Sequence, residues 1–165
     1  MATIDQFKAN LIGGGPRANR FKVFIPRTGN KIEFLCKAAQ LPGSSFGDIT
    51  VKHMGNTLKL PGDRAFEDWT VTIINDVNFE VRTGLEQHMN EIQGEGTGIG
   101  STSLDYLVDR AFVEQLDKGD NVLARYEFFN MYPKTVAAIT LDYDNGDAIE
   151  TFDATFAFSH WERVV

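Results

Sequence analysis

The sequence has almost no cysteine: Cys36 stands alone in 165 residues. One thiol closes no internal disulfide, which excludes a stapled secreted scaffold and permits the reducing cytoplasm. Basic charge is also scarce, with 16 Lys+Arg against 23 Asp+Glu and a formal net charge of −7. That balance, with a pI near 4.9, argues against a protein that grips nucleic acid, because such affinity comes mostly from neutralising phosphates. No apolar run approaches the ~20 residues a bilayer crossing needs, and the first residues lack the basic and apolar regions of a secretory signal. No stable membrane association is expected. The remainder is ordinary for a folded globule: 42% hydrophobic and 24% charged residues, on a chain of a length that suits one domain with a real core.

Catalytic and metal-binding patterns are lacking too. Only three histidines occur, His53, His88 and His160, far apart and without an H-E-x-x-H pair. They read as surface histidines. Ser159-His160 and Asp153 share one predicted strand, and closeness in sequence does not build a triad. Cys36 alternates with Ile32 and Phe34, which fits an inert core thiol rather than a nucleophile in an electropositive site. Gly94, Gly96, Gly98 and Gly100 never produce G-x-G-x-x-G and follow a helix rather than a strand, so they read as a flexible, mobile loop. Asp142, Asp144, Asp147 and Glu150 carry their glycine, Gly146, one place too early for an EF-hand; Asp144-Asn145-Gly146-Asp147 reads as a hairpin turn. No catalytic residue, metal or cofactor is expected.

What is present is hydrophobic periodicity. Ile4, Phe7, Leu11 and Ile12 recur at helical spacing behind a Thr3/Gln6 capping box. Gly13-Gly14-Gly15-Pro16 then breaks the helix. Residues 1–19 are therefore expected to be an amphipathic arm on a hinge, and 20–165 a single domain. From Phe21 the period changes to two. Phe21, Val23 and Ile25, then Ile32, Phe34 and Cys36, predict two strands joined through Gly29-Asn30. A weaker pair, 49–54 and 57–60, turns at Gly55-Asn56, carries few large apolar groups and closes at Pro61-Gly62-Asp63. It predicts a projecting hairpin within 41–64. Trp69, Val71 and Ile73 mark the clearest strand. Asn78 is the expected cap of a helix with the stripe Val81, Leu85, Met89 and Ile92. Further strands are predicted at 111–116, 122–131, 137–143 and 149–160. The fold class is mainly β: an antiparallel sandwich or barrel with one flanking helix.

Two blocks carry a resemblance. One is Leu60-Pro61-Gly62-Asp63-Arg64-Ala65-Phe66-Glu67-Asp68-Trp69-Thr70-Val71-Thr72-Ile73-Ile74-Asn75-Asp76. The other runs from Tyr132-Pro133-Lys134-Thr135-Val136 through Leu141-Asp142-Tyr143-Asp144 and Ile149-Glu150-Thr151-Phe152 to Trp161-Glu162. With residues 21–41 they resemble the tail tube protein of contractile-tailed bacteriophages, and Tyr132 and Tyr143 stand where tryptophan is typical of that family. The resemblance implies a virion tail component with no enzymatic role. It implies six copies in a ring, rings stacked into a hollow tube, and a fold shared with the type VI secretion tube. The implied partners are further copies, sheath, baseplate, tape measure and tail terminator proteins, with double-stranded DNA in passage and not specifically bound. A related secretion or injection tube with protein cargo is the alternative inside this group. A small β-barrel enzyme or ligand-binding module acting alone is the alternative outside it.

Three groups of residues follow as expectations. Ser45, Asp48, Lys52, His53, Asn56 and Lys59 of the sparsely supported hairpin are expected to touch the next ring, as the analogous loop does in the family. Ile4, Phe7, Leu11 and Ile12 form a helix too short to stand alone in water and are expected to pack on a subunit interface. Strand alternation places Asp68, Thr70, Thr72, Thr140, Asp142, Thr151, Asp153 and Thr155 opposite the apolar face. That short, hydroxylic or acidic face, without lysine or arginine on its segments, is expected to line the channel.

Overall fold

A computed structural model describes residues 3–165. Two four-stranded antiparallel sheets face each other, with β1 (Phe21–Phe24), β6 (Ala111–Leu116), β7 (Val122–Phe129) and β10 (His160–Arg163) in that order in one. The other has the order β2 (Cys36–Ala39), β5 (Trp69–Ile74), β9 (Thr151–Ala157), β8 (Tyr132–Val136). A separate two-stranded ribbon pairs β3 (Ser44–His53) with β4 (Asn56–Phe66). Helix α1 (Ile4–Asn10) precedes the sandwich, a short α2 spans Ile32–Leu35, and α3 covers Glu80–Ile92. The fold is a sandwich and not a closed barrel.

The core follows the two-residue period. Trp69, Val71 and Ile73 of β5 are buried beside Phe152, Ala154 and Phe156 of β9. Across the layer, Trp69 stacks on Phe128 of β7 with ring centres 4.5 Å apart. Val81 and Leu85 of α3 enter the same cluster. Helix α3 docks so closely that a Cβ on Gly84 would stand 2.6 Å from the Arg27 carbonyl oxygen. Phe79 occupies the N-cap of that helix without a side-chain cap, and Asp76 Oδ1 accepts from the first helical amide, Glu80, at 3.0 Å; Asn78, the residue expected to cap it, does not.

Several expectations are corrected. Residues 32–35 form a helical turn rather than a strand, and β1 pairs with β6, not with its sequence neighbour. The apolar side chains explain this: Ile32 is buried and Leu35 and Cys36 half-buried, while Phe34 between them is 80% exposed. Inward positions three and four apart are a helical spacing. Residues 137–150 form no strand, because β8 already occupies the place beside β9. The alternation of Leu141 and Tyr143 has no sheet to be buried in, and both are exposed. The last strand breaks at Phe158-Ser159, so β9 and β10 belong to opposite sheets. His88 is buried, not a surface residue; its ring Nε2 meets the Tyr106 carbonyl. The glycine loop after α3 is folded back on the helix end, with Gly94 N donating to Ile99 O at 2.7 Å and Ser101 N to Glu91 O at 2.9 Å.

Candidate assembly surfaces

Three surfaces project from this framework. The first is the outward face of the β2-β5-β9-β8 sheet. Because β5 and β9 pair in register, Thr70 lies opposite Thr155, Thr72 opposite Asp153 and Ile74 opposite Thr151. The hydroxyls are tied across the strands: Thr70 Oγ1 and Thr155 Oγ1 are 3.2 Å apart, and Thr72 Oγ1 donates to Asp153 Oδ1 at 2.7 Å. These cross-strand bonds flatten short side chains against the sheet and leave a low, polar surface. Asp68, just before β5, receives a 2.7 Å bond from Lys134 Nζ of β8, which raises the lysine above its ordinary value. The face therefore carries one lysine that the three strand segments did not reveal. Five of the eight residues named for this face are together on it. Asp68 sits at its margin, and Thr140 and Asp142 lie in the 137–150 loop instead.

The second surface is the ribbon. Its strands run 10 and 11 residues, longer than the sequence suggested, and every residue of β3 is exposed. The turn falls on Met54-Gly55, both with positive φ, so His53 pairs with Asn56. This is one residue earlier than expected, and it changes the facing pairs. Ile49 meets Leu60 and Val51 meets Leu58, four apolar side chains on one face, all of them exposed. The expectation of few apolar groups is corrected here: the alternation was present, and the misplaced turn hid its pairing. Asp48, Lys52 and Lys59 share the opposite face, whose pairs are Asp48 with Pro61, Thr50 with Lys59 and Lys52 with Thr57. His53 and Asn56 lie at the tip and Ser45 at the root. Pro61-Gly62-Asp63 is not a closing turn: Pro61 pairs with Asp48, and Gly62-Asp63 form a bulge inside β4 opposite Gly47. The two backbones approach so closely there that a Cβ on Gly62 would come 2.9 Å from the Gly47 oxygen.

The third surface is the arm. Thr3 and Gln6 form the expected reciprocal capping box. No residue of α1 is buried, and Ile4, Phe7, Leu11 and Ile12 are all exposed, Ile12 at 89%. The helix carries Ile4 and Phe7 and ends at Asn10, with Leu11 and Ile12 in the turn after it; no described residue of the chain buries any of the four.

No three His, Cys, Asp or Glu side chains among the described residues are grouped to hold a metal, and no described helix is long and apolar enough to cross a membrane. Burial pushes the half-buried Cys36 thiol up to about 11, away from reactivity. Fold and surfaces define an antiparallel β-sandwich with a projecting ribbon and an uncovered N-terminal arm. Residues 7–164 match the family model described as phage tail tube protein, and the chain belongs to that family. It is 31% identical over 159 residues to the tail tube protein gp19 of Enterobacteria phage T4, covering 96% of this chain and 98% of that protein. Its fold matches a chain of the sheath/tube terminator of an extracellular contractile injection system (PVC), with TM-score 0.69, 16% identity and 93% and 99% coverage. A chain of the same system's sheath-tube complex matches with TM-score 0.60, 16% identity and 99% and 98% coverage. The resemblance drawn from the Gly-Asp-Arg-x-Phe-x-Asp-Trp block is thereby borne out, and the chain is a structural component of the virion tail.

Proposed function

We propose that six copies of the chain close into a ring, that rings stack into the inner tube of the tail, and that the threonine–aspartate face lines the channel through which double-stranded DNA passes. The observation that carries this reading is the registered row Thr70–Thr155 and Thr72–Asp153 on the face opposite the core. A short, hydroxylic and acidic wall, whose one lysine, Lys134, is paired with Asp68, has little free positive charge to displace the counterions of DNA, so DNA slides along it without being held. In this arrangement β2 and β8, the two edges of the same sheet, pair with neighbours, which removes edges that would otherwise be open to uncontrolled association. The ribbon reaches the adjacent ring and buries Ile49, Val51, Leu58 and Leu60 there, while the arm docks on a neighbouring subunit. Sheath, baseplate, tape measure and terminator proteins are the partners of the finished tube.

Electron microscopy of the purified protein tests the assembly: rings or tubes are expected, and monomers at every concentration would refute it. A map of the tube tests the lining. Thr70, Thr72, Asp153 and Thr155 on the outer wall would remove the channel assignment. In a phage carrying Asp153→Lys with Thr155→Lys, tubes should form normally while genome ejection slows and becomes sensitive to salt.

A further inference from the structure

A ribbon exposed on both faces has no layer beneath it to fix its direction, and a two-stranded hairpin by itself is marginally ordered in water. Its angle to the sandwich must be set at the root. Three attachments occur there. Trp69 Nε1 donates to the Gln40 carbonyl at 2.7 Å, and Trp161 Nε1 donates to the Gly43 carbonyl at 3.2 Å. Both hold the chain entering β3. The third attachment is Arg64, whose guanidinium carbon lies 5.4 Å from the ring centre of Phe46, 5.8 Å from Phe66 and 5.8 Å from Trp161. Those rings belong to β3, β4 and β10, so one cation touches both strands of the ribbon and a strand of the far sheet.

The rings are themselves anchored. Phe66 packs on Phe158 at 6.1 Å, and Phe158 on Phe128 at 4.8 Å, in the middle of the core. Trp161 also meets Tyr126 edge-on at 5.2 Å. Arg64 makes no ion pair among the described residues, so the aromatic faces are what hold it. The position in the strand matters as well. Arg64 pairs with Phe46, the last regular pair before the bulge at Gly47. Everything beyond this point, including the Ile49–Leu60 and Val51–Leu58 pairs, inherits its direction from it.

We propose that Arg64 is a positioning residue that fixes the ribbon at the angle needed to meet the next ring. This rests on the reading of the ribbon as the stacking element. A planar guanidinium lies flat on aromatic faces in a way an ammonium does not, so Arg64→Lys should restore only part of what Arg64→Gln loses.

Spin labels at Asn56→Cys on the ribbon tip and Lys118→Cys on the sandwich, in a Cys36→Ala background, report the angle. Pulsed dipolar measurements on the full chain, diluted below its assembly threshold, should give a narrow distance distribution. Arg64→Gln should broaden it and Arg64→Lys should fall between. The concentration needed for tubes, read by sedimentation, should rise about tenfold in Arg64→Gln, the shift expected for loss of one to three exposed cation–aromatic contacts. Thermal unfolding should move by no more than about 2–4 °C, the effect of a change near 1 kcal/mol in a chain of this size. An equally narrow distribution in Arg64→Gln overturns the clamp. A broadened distribution with an unchanged assembly threshold overturns the stacking reading and its use of the clamp.

Discussion

The apolar face of the ribbon gives the most direct prediction. Val51 and Leu58 face each other across β3 and β4 and are 46% and 59% exposed. Full burial of such a side chain stabilises by ~1.5–3 kcal/mol relative to exposure. About half of that remains to be gained at each, so covering the pair contributes ~1.5–3 kcal/mol per ribbon–ring contact. Val51→Ser with Leu58→Ser removes most of this. At about 1.4 kcal/mol per factor of ten, the protein concentration that supports tubes should rise roughly 10–100-fold. The isolated chain should barely notice, because neither side chain is in its own core, and its unfolding temperature should stay within about 3 °C. Sedimentation across a dilution series measures the first quantity and circular dichroism the second. Tubes at the wild-type threshold would refute the reasoning. So would a fall in unfolding temperature that tracks the loss of assembly, since the pair would then belong to the monomer's own packing.

Deleting residues 2–14 should weaken assembly while leaving unfolding almost unchanged, because no residue of α1 is buried in its own chain; equal losses in both measurements would contradict this. Gly84→Val should fail differently, since its side chain would collide with the Arg27 and Thr28 backbone; a loss of ~1–3 kcal/mol is expected, seen as a lower midpoint in urea. Burial, with the charge of Arg27 nearby, holds His88 below its ordinary 6.5 against the opposing pull of the Tyr106 carbonyl and Glu91. Between the folded value and 6.5 the unfolded chain binds the extra proton, so stability should fall as pH drops through that window and be flat above it. His88→Phe should remove this His88-linked slope on the acid side of 6.5 in thermal melts.

Elements whose two faces differ sharply were legible without the structure. Trp69-Thr70-Val71-Thr72-Ile73 states its own register, and its partner Phe152-Asp153-Ala154-Thr155-Phe156 states the same, so half of the candidate channel face could be named from alternation. The capping box and the start of the arm helix, Ile4 and Phe7, were equally plain, while the helix stopped short of Leu11 and Ile12. Alternation misled where another element had already taken the neighbouring edge, as with Leu141 and Tyr143, which lose their place beside β9 to β8. It also misled over three residues, since Ile32, Phe34 and Cys36 fit period two only if Leu35 is ignored. The pairing on the ribbon's apolar face, though not the face itself, depended on a single residue of turn placement. Arg64 could not be read at all: its rings come from three strands, and Trp161 is far away in the chain.

That last separation has a consequence for biosynthesis. The bond from Trp161 to the Gly43 carbonyl spans 118 residues, whereas the ribbon's own pairs close between neighbours within 44–66. Local hairpins form in about 1–10 μs, and translation adds only ~5–20 residues per second. The ribbon thus zips several seconds before the ribosome delivers the tryptophan that holds its root. A nascent chain holds the ribbon only marginally paired, and the attachments that Trp161 makes at its root follow only when β10 docks. Under the proposed role of the ribbon, stacking waits until synthesis has passed Trp161, and chains truncated before it should compete poorly for a growing end.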